Sequence, residues 1–162
     1  MDQFTELFGC RSEDTLRFFF GHLQEIVPDP NLTQEKIYGA SILGHFAQVS
    51  RFDREFMVFT NLSEVFDCVM GELPDDAIIL ENTGANILFL AGFFQDQLKA
   101  RHNIRWYYGL GEACYARAER AELSAVKKVL FSKIARNFSF WGETFCRMHR
   151  EIRDDKYLLR FQ

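Results

Sequence analysis

Apolar residues recur every three or four positions along nearly the whole chain, which is the spacing of one face of an α-helix. The alternation that is typical of a half-buried strand never persists. Ser12, Thr33 and Asn103 stand where helices begin, because their side chains accept hydrogen bonds from the first free backbone N–H groups of a helix. The pattern predicts a turn over residues 2 to 8 and helices over residues 12 to 27, 33 to 50, 51 to 70, 74 to 101, 103 to 120 and 122 to 152. We expect an all-α fold, a compact bundle of five to seven helices that forms a single domain over residues 1 to 162.

The last of these helices, over residues 122 to 152, has the clearest two-sided pattern. Its apolar residues fall within an arc of about 100° on a helical wheel: Leu123, Leu130, Phe131, Ile134, Phe138, Trp141, Phe145, Met148 and Ile152. Its cations lie on the other side and form a predicted basic face: Lys128, Lys133, Arg136, Arg147 and Arg150. A single amphipathic helix of this length measures about 45 Å. We therefore expect it to project from the bundle or to bend at Gly142.

We expect the apolar side of this C-terminal helix to pack as the spine of the bundle and its basic side to face solvent. Two alternatives stay open at this point. Part of the apolar stripe could be the seam of a homodimer, and the basic face could bind nucleic acid or an anionic membrane surface.

Very small residues and large aromatic residues mix between positions 84 and 115. Glycine costs a helix interior about 1 kcal/mol relative to alanine, so Gly84, Gly92, Gly109 and Ala113 predict a tight helix crossing. The residues around them are candidates for binding a protein partner or for lining a small apolar pocket: Phe93, Phe94, Trp106, Tyr107, Tyr108, Glu112 and Tyr115.

The same region resembles a set of uncharacterised bacterial helical proteins over about a quarter of the chain. The shared pattern is a Gly-Phe-Phe, a Tyr-Tyr, a Gly and a small residue before Tyr, found here at Gly92-Phe93-Phe94, Tyr107-Tyr108, Gly111 and Cys114-Tyr115. The family pattern also has Asp after a glycine, where this chain has Ala85 after Gly84, and alanine where Cys114 stands. The resemblance implies a bacterial cytosolic protein and no particular activity.

Charge is divided unevenly along the chain. Residues 1 to 81 carry 5 basic and 15 acidic side chains, net −10, whereas residues 82 to 162 carry 14 and 8, net +6. A net charge of −4 disfavours nucleic-acid binding over the whole surface. Four widely spaced cysteines and an acidic start without a secretory signal predict a cytoplasmic protein with reduced thiols. The longest purely apolar run covers residues 87 to 94, which is too short to cross a bilayer.

Catalytic motifs are not evident in the sequence. Cys146 and His149 share a helix face but would need further ligands to hold a metal, and Cys114 would need a histidine such as His102 beside it to act as a nucleophile. His22 and His45 are expected to be packed or partly exposed and not catalytic bases, with His45 the more buried of the two. We expect no catalytic residue, no metal and no cofactor.

These observations favour a non-catalytic cytosolic helical domain that acts through protein–protein interaction, self-association included. Eighteen phenylalanines supply more aromatic surface than one core of this size needs. The alternative is a carrier or sensor of a small apolar ligand, and the second alternative is binding of nucleic acid or an anionic surface through the basic C-terminal half.

Overall fold

The computed structural model describes residues 12–49, 73–96 and 103–159. Six α-helices lie in these ranges: α1 Ser12–Ile26, α2 Thr33–Val49, α3 Ala77–Phe93, α4 Ile104–Ala121, α5 Ala125–Arg136 and α6 Phe138–Leu159. A 3₁₀ turn, Pro30–Leu32, joins α1 to α2. The described residues contain no strand, and the predicted all-α bundle is confirmed. The turn predicted over residues 2 to 8 and the helix predicted over 51 to 70 lie outside the described residues.

Polar side chains cap the helices at the points that the sequence indicates. Asp76 Oδ1 accepts hydrogen bonds from the backbone N–H groups of Ile78 at 2.9 Å and Ile79 at 3.2 Å. Asn103 Oδ1 accepts from the N–H of Arg105 at 3.0 Å, which fixes the first turn of α4. The predicted starts at residues 12, 33 and 103 are confirmed to within one residue.

Helix α3 is the centre of the bundle, packed between α4 and α6. Seven consecutive residues of α3, from 87 to 93, are buried, which explains why this part of the sequence is apolar on every side. The rings of Phe46 in α2 and Phe89 in α3 stack with centroids 4.6 Å apart and connect the two helices. The predicted helix over residues 74 to 101 is shorter than expected, because α3 begins at Ala77 and ends at Phe93; residues 97 to 101 lie outside the described residues.

The predicted single helix over residues 122 to 152 is divided in two at Asn137, and Gly142 does not bend it. The buried carboxylate of Glu35 in α2 binds side chains at this break. Its Oε1 accepts hydrogen bonds from Asn137 Nδ2 and Trp141 Nε1, both at 3.0 Å. The two donors are four residues apart, so they project from the same side of the chain.

Most of the predicted apolar stripe forms the spine of the bundle as expected. Seven of its members are buried: Phe131, Ile134, Phe138, Trp141, Phe145, Met148 and Ile152. Leu123 was placed wrongly on this stripe. It lies in the turn before α5 and is 96% exposed.

Two of the four predicted small-residue contacts are present. A Cβ atom on Gly92 would collide with the side chain of Phe145, and one on Gly84 would lie 2.7 Å from the ring of Tyr115. These glycines let aromatic rings lie directly against the backbone of α3.

The other two predicted contacts were wrong. No heavy atom of a described residue lies within 4 Å of a Cβ placed on Gly109, and Ala113 is exposed. Gly111 and Gly142 take the same role instead, because a Cβ on either would collide with the ring of Phe138 or of Tyr108.

Lys36 of α2 is fully buried. Its ammonium group lies at the C-terminal end of α1 and connects the two helices. Its ammonium group donates to Gln24 Oε1 at 2.6 Å, to the Val27 carbonyl at 2.9 Å and to the Asp29 carbonyl at 3.0 Å. All three protons are therefore used. The positive charge also lies at the C-terminal, negative end of the α1 dipole, where it is stabilising.

Within the described residues, no helix is both long enough and apolar enough to cross a membrane.

Candidate functional site

The structure does not bring the predicted aromatic binding residues together on one surface. Four of them are buried in the core: Phe93, Tyr107, Tyr108 and Tyr115. Trp106 is 42% exposed, Phe94 is half-buried, and Glu112 is exposed on α4. Most of the predicted binding residues therefore contribute to the core and not to a binding surface.

Tyr108 belongs to a polar cluster that connects α4 to α6. Its hydroxyl donates to Glu143 Oε1 at 3.0 Å and accepts from Gln95 Nε2 at 2.8 Å. Burial, and then the contact with Glu143, raise the pKa of Tyr108. Beside this cluster, a shallow groove of about 410 Å³ is lined in part by Arg105 and Glu112. The satisfied hydrogen bonds indicate a structural role for Tyr108.

The predicted basic face is split between two helices by the break at Asn137. Arg147 is ion-paired with Glu151, at 3.1 Å, and Arg150 with Asp96, at 3.4 Å. The remaining three predicted cations, Lys128, Lys133 and Arg136, lie on α5 and form no ion pair with another described residue.

Exposed apolar side chains are concentrated around the start of α5. Leu123 is 96% exposed, Val126 69% and Val129 51%. Val126 and Val129 lie on the side of α5 away from the buried Phe131 and Ile134. Lys133 continues the same side one turn later, since spacings of three and four keep residues on one helix face.

Glu122 provides a negative charge at the other end of this row. Its Oε1 accepts hydrogen bonds from the backbone N–H groups of Leu123 and Ser124, both at 3.1 Å. The carboxylate is therefore held at the N-terminal end of α5, where the helix dipole favours it. We call Glu122, Val126, Val129 and Lys133 the α5 row.

Two apolar residues in the sequence indicate the α5 row, although the predicted buried stripe does not include them. Val126 and Val129 fall outside the arc of the buried residues on the helical wheel, although both are apolar. Apolar residues on the solvent side of an amphipathic helix indicate a contact surface.

A second candidate is a pocket of about 470 Å³ between α2 and α3. Its polar lining residues come from both helices: Tyr38, Ser41, His45, Glu81, Asn82 and Asn86. The Tyr38 hydroxyl donates to Glu81 Oε1 at 3.3 Å and lies 2.9 Å from the Tyr115 hydroxyl. Both hydrogen bonds form when Tyr115 donates to Tyr38 and Tyr38 donates to Glu81. The expectation that His45 is more buried than His22 was wrong, because His45 is exposed at the pocket rim and His22 is half-buried.

Burial dominates the electrostatics of this pocket. It raises the pKa of Glu81 above the ordinary value of 4.5, and the nearby negative charge of Glu122 adds to this. The positive charge of Lys127 and the hydrogen bond from Tyr38 act in the opposite direction. Burial also raises the pKa values of Tyr38 and Tyr115, so both phenols stay neutral.

No three or more His, Cys, Asp or Glu side chains in the described ranges are grouped so that they could hold a metal ion. Cys114 and Cys146 are both buried. His102, the histidine considered beside Cys114, lies outside the described residues.

Comparisons of this chain with protein-family models, with curated proteins and with solved structures found no match. The resemblance to uncharacterised bacterial helical proteins therefore stays a prediction.

Proposed function

We propose that this protein is a non-catalytic helical domain that acts through protein–protein contact and pairs with a second copy of itself along the α5 row. The observation that supports this most is the exposure of Val126 and Val129 on two successive turns, on the side of α5 away from the core. Covering such side chains is favourable by about 25 cal/mol per Å² of apolar surface. A second chain is one surface that can cover them.

Symmetry and charge favour a second copy as the partner. In an antiparallel pair of α5 helices about a two-fold axis, Val126 of each chain lies beside Val129 of the other. Positions 122 and 133 are equally far from the midpoint between the two valines. Glu122 lies just before α5, not on its helical face, so the same pairing brings each Glu122 to the end of the other copy's α5 that carries Lys133, where the two side chains form an ion pair in the proposed dimer.

The other charges near the row are compatible with this pairing. Lys127 and Glu122 both act electrostatically on Glu81 of α3, so the charged end of the row lies near that helix. Lys128 is half-buried on a different side of the helix. Antiparallel helices also place each positive helix end beside a negative one.

The α5 row spans about three turns and buries less surface than a standard protein interface. We expect a weak dimer, with a dissociation constant of about 10 to 100 μM. Because its two ion pairs lie at the edge of the contact, added salt weakens the association.

Sedimentation equilibrium over a concentration and salt series tests the proposal. We expect a monomer–dimer equilibrium in the native protein and a monomer for Val126→Asp. Lys133→Glu should weaken dimerisation, because it places two acidic groups together. Adding Glu122→Lys to Lys133→Glu should restore dimerisation, since the ion pairs then form with exchanged signs.

The matched control is Lys128→Glu, which makes the same charge change on α5 away from the row. It should leave the dimer nearly unchanged. A strict monomer for the native protein at every concentration would contradict the proposal, as would equal weakening by Lys128→Glu and Lys133→Glu.

The two alternative functions receive less support. Tyr115 and Phe145 lie against Gly84 and Gly92 and fill the helix crossings where an apolar ligand was considered. Two of the five predicted basic residues, Arg147 and Arg150, are ion-paired with acidic groups, which reduces their attraction for a polyanion.

A further inference from the structure

We propose that the pocket between α2 and α3 binds a small organic ammonium cation, with Glu81 as its counter-ion. This inference is independent of dimerisation through the α5 row.

Glu81 has one carboxylate oxygen available for a ligand. Its Oε1 accepts from the Tyr38 hydroxyl, whereas Oε2 forms no hydrogen bond with a described residue. The carboxylate is half-buried, and Lys127 acts on it from a distance, but no described lysine or arginine nitrogen lies within 4 Å of it. An ammonium group that reaches Oε2 would form a charge-assisted hydrogen bond in a partly dehydrated site.

The charge of the pocket lining favours a cation over an anion. Glu81 is its only carboxylate, and the lining contains no lysine or arginine among the described residues. Ser41 and Asn82 add side-chain oxygens, which accept hydrogen bonds from N–H groups.

Aromatic rings in the lining favour an organic cation. Tyr38 and Phe46 both line the pocket, and Phe46 is held in place by its stack on Phe89. An ammonium group within about 6 Å of such a ring is attracted by the negative face of its π-system. A metal ion is a poorer fit, since the described residues provide no group of three acidic, histidine or cysteine ligands.

The pocket is already shaped for binding before a ligand arrives. The hydrogen bonds from Tyr115 to Tyr38 and from Tyr38 to Glu81 fix one face of the carboxylate. The pocket volume of about 470 Å³ is within the range of small-molecule sites. Preorganised groups of this kind lose little freedom when a ligand binds.

Three probes of nearly equal shape test the charge preference: butylamine, n-butanol and butyrate. Titrations followed by two-dimensional NMR of the isotope-labelled full chain should show shifts at pocket residues with butylamine. For a ligand of this size we expect a dissociation constant of about 1 mM. The neutral and anionic probes should bind at least about tenfold more weakly, because they cannot pair with Glu81.

Glu81→Gln removes the charge and keeps the side-chain shape. Its affinity for butylamine should fall about tenfold or more, to the level of n-butanol. Glu112→Gln makes the same change at an exposed site on α4 and should bind butylamine like the native protein. Asn82→Asp adds a carboxylate to the pocket and should strengthen binding, which keeps the test decisive if Glu81→Gln does not fold.

Val126→Asp should bind butylamine with unchanged affinity, so failure of dimerisation and failure of this inference are separate results. Three results would overturn the inference: no binding of butylamine, equal binding of butylamine and n-butanol, or full binding by folded Glu81→Gln.

Discussion

Glycine positions in this bundle differ by whether an aromatic ring lies against them. Gly92 has the side chain of Phe145 on its backbone, whereas Gly109 has open space where its Cβ would be, as far as the described residues show. Gly92 and Gly109 both lie within helices, yet a larger side chain is expected to fit at Gly109 and not at Gly92. Sequence alone identified Gly84 and Gly92 correctly and Gly109 wrongly, because the ring that decides each case comes from a distant part of the chain.

Gly92→Leu is expected to lower the free energy of unfolding by about 3 kcal/mol, since overpacking forces α3 and α6 apart. Trp106→Ala should cost about 1 kcal/mol, because Trp106 is 42% exposed. Denaturant unfolding of the two variants measures this ranking. Gly109→Leu is the control and should be neutral or stabilising, as leucine has the higher helix propensity. A larger loss for Trp106→Ala than for Gly92→Leu would contradict the packing.

Glu81 gives the protein a pH-dependent stability. Burial raises its pKa in the folded state above the value of 4.5, so the folded state binds more protons than the unfolded state at pH values between the two. Its contribution to stability is fully present below about pH 4.5 and is lost as the pH rises through the folded pKa. The groups that act on it are Lys127, Tyr38 and Glu122.

The unfolding free energy of Glu81→Gln, relative to that of the native protein, should therefore be higher at neutral pH than at pH 4. The difference between the two unfolding free energies, measured by urea denaturation across this pH range, checks the sign. Glu112→Gln is the matched control. A difference that is independent of pH would show that Glu81 titrates normally in the folded protein.

At the scale of the helices, the sequence predicts the helix starts, which depend on neighbouring residues. It does not predict the break at Asn137, where the contact is with a residue distant in sequence. Helices α1 and α2 begin at Ser12 and Thr33, and α4 begins after Asn103, whose capping involves only a neighbouring residue. The break at Asn137 is hydrogen-bonded to Glu35, which is 102 positions away in sequence. No local pattern marks that break, since the helical periodicity continues through it.

Glu35→Ala is expected to destabilise the fold by about 3 kcal/mol, because the half-buried Asn137 amide and the buried Trp141 N–H lose their acceptor. Glu25→Ala removes an exposed carboxylate from α1 and should change stability by less than about 0.5 kcal/mol. Denaturant unfolding of both variants provides the comparison. Similar small losses in the two would mean that the contact between α2 and the break contributes little.

The candidate sites were harder to predict than the helices. The pocket combines Tyr38 of α2 with Glu81 of α3, and nothing in the sequence shows that these residues meet. The α5 row can be predicted from the sequence pattern, because Val126 and Val129 lie outside the buried stripe. Its meaning depends on knowing which side of α5 faces solvent.

For the whole molecule, the acidic and basic halves of the chain are interleaved in space. Helix α3 begins in the acidic half yet packs against α4 and α6 of the basic half. Arg117 of α4 pairs with Asp75 at 2.8 Å and donates to the Leu73 carbonyl, which ties the two halves together. The charge split along the sequence therefore does not by itself define two separate charged lobes.

Dimerisation through the α5 row makes thermal stability depend on protein concentration. Above the dissociation constant, each tenfold increase should raise the Tm of the native protein by about 2 °C. Val126→Asp should show no such rise. Calorimetry at two concentrations measures both, and equal behaviour of the two proteins would argue against the proposed dimer.

The contact between Glu35 and the break at Asn137 also affects the protein during its synthesis. A ribosome that adds about 5 to 20 residues per second completes Asn137 roughly 5 to 20 s after Glu35, since 102 positions separate them. In the later part of that interval, α1, α2 and α3 have been made and α6 has not, so the apolar faces that α6 covers are open. The nascent chain is thus open to chaperones and to aggregation until its last third has been made.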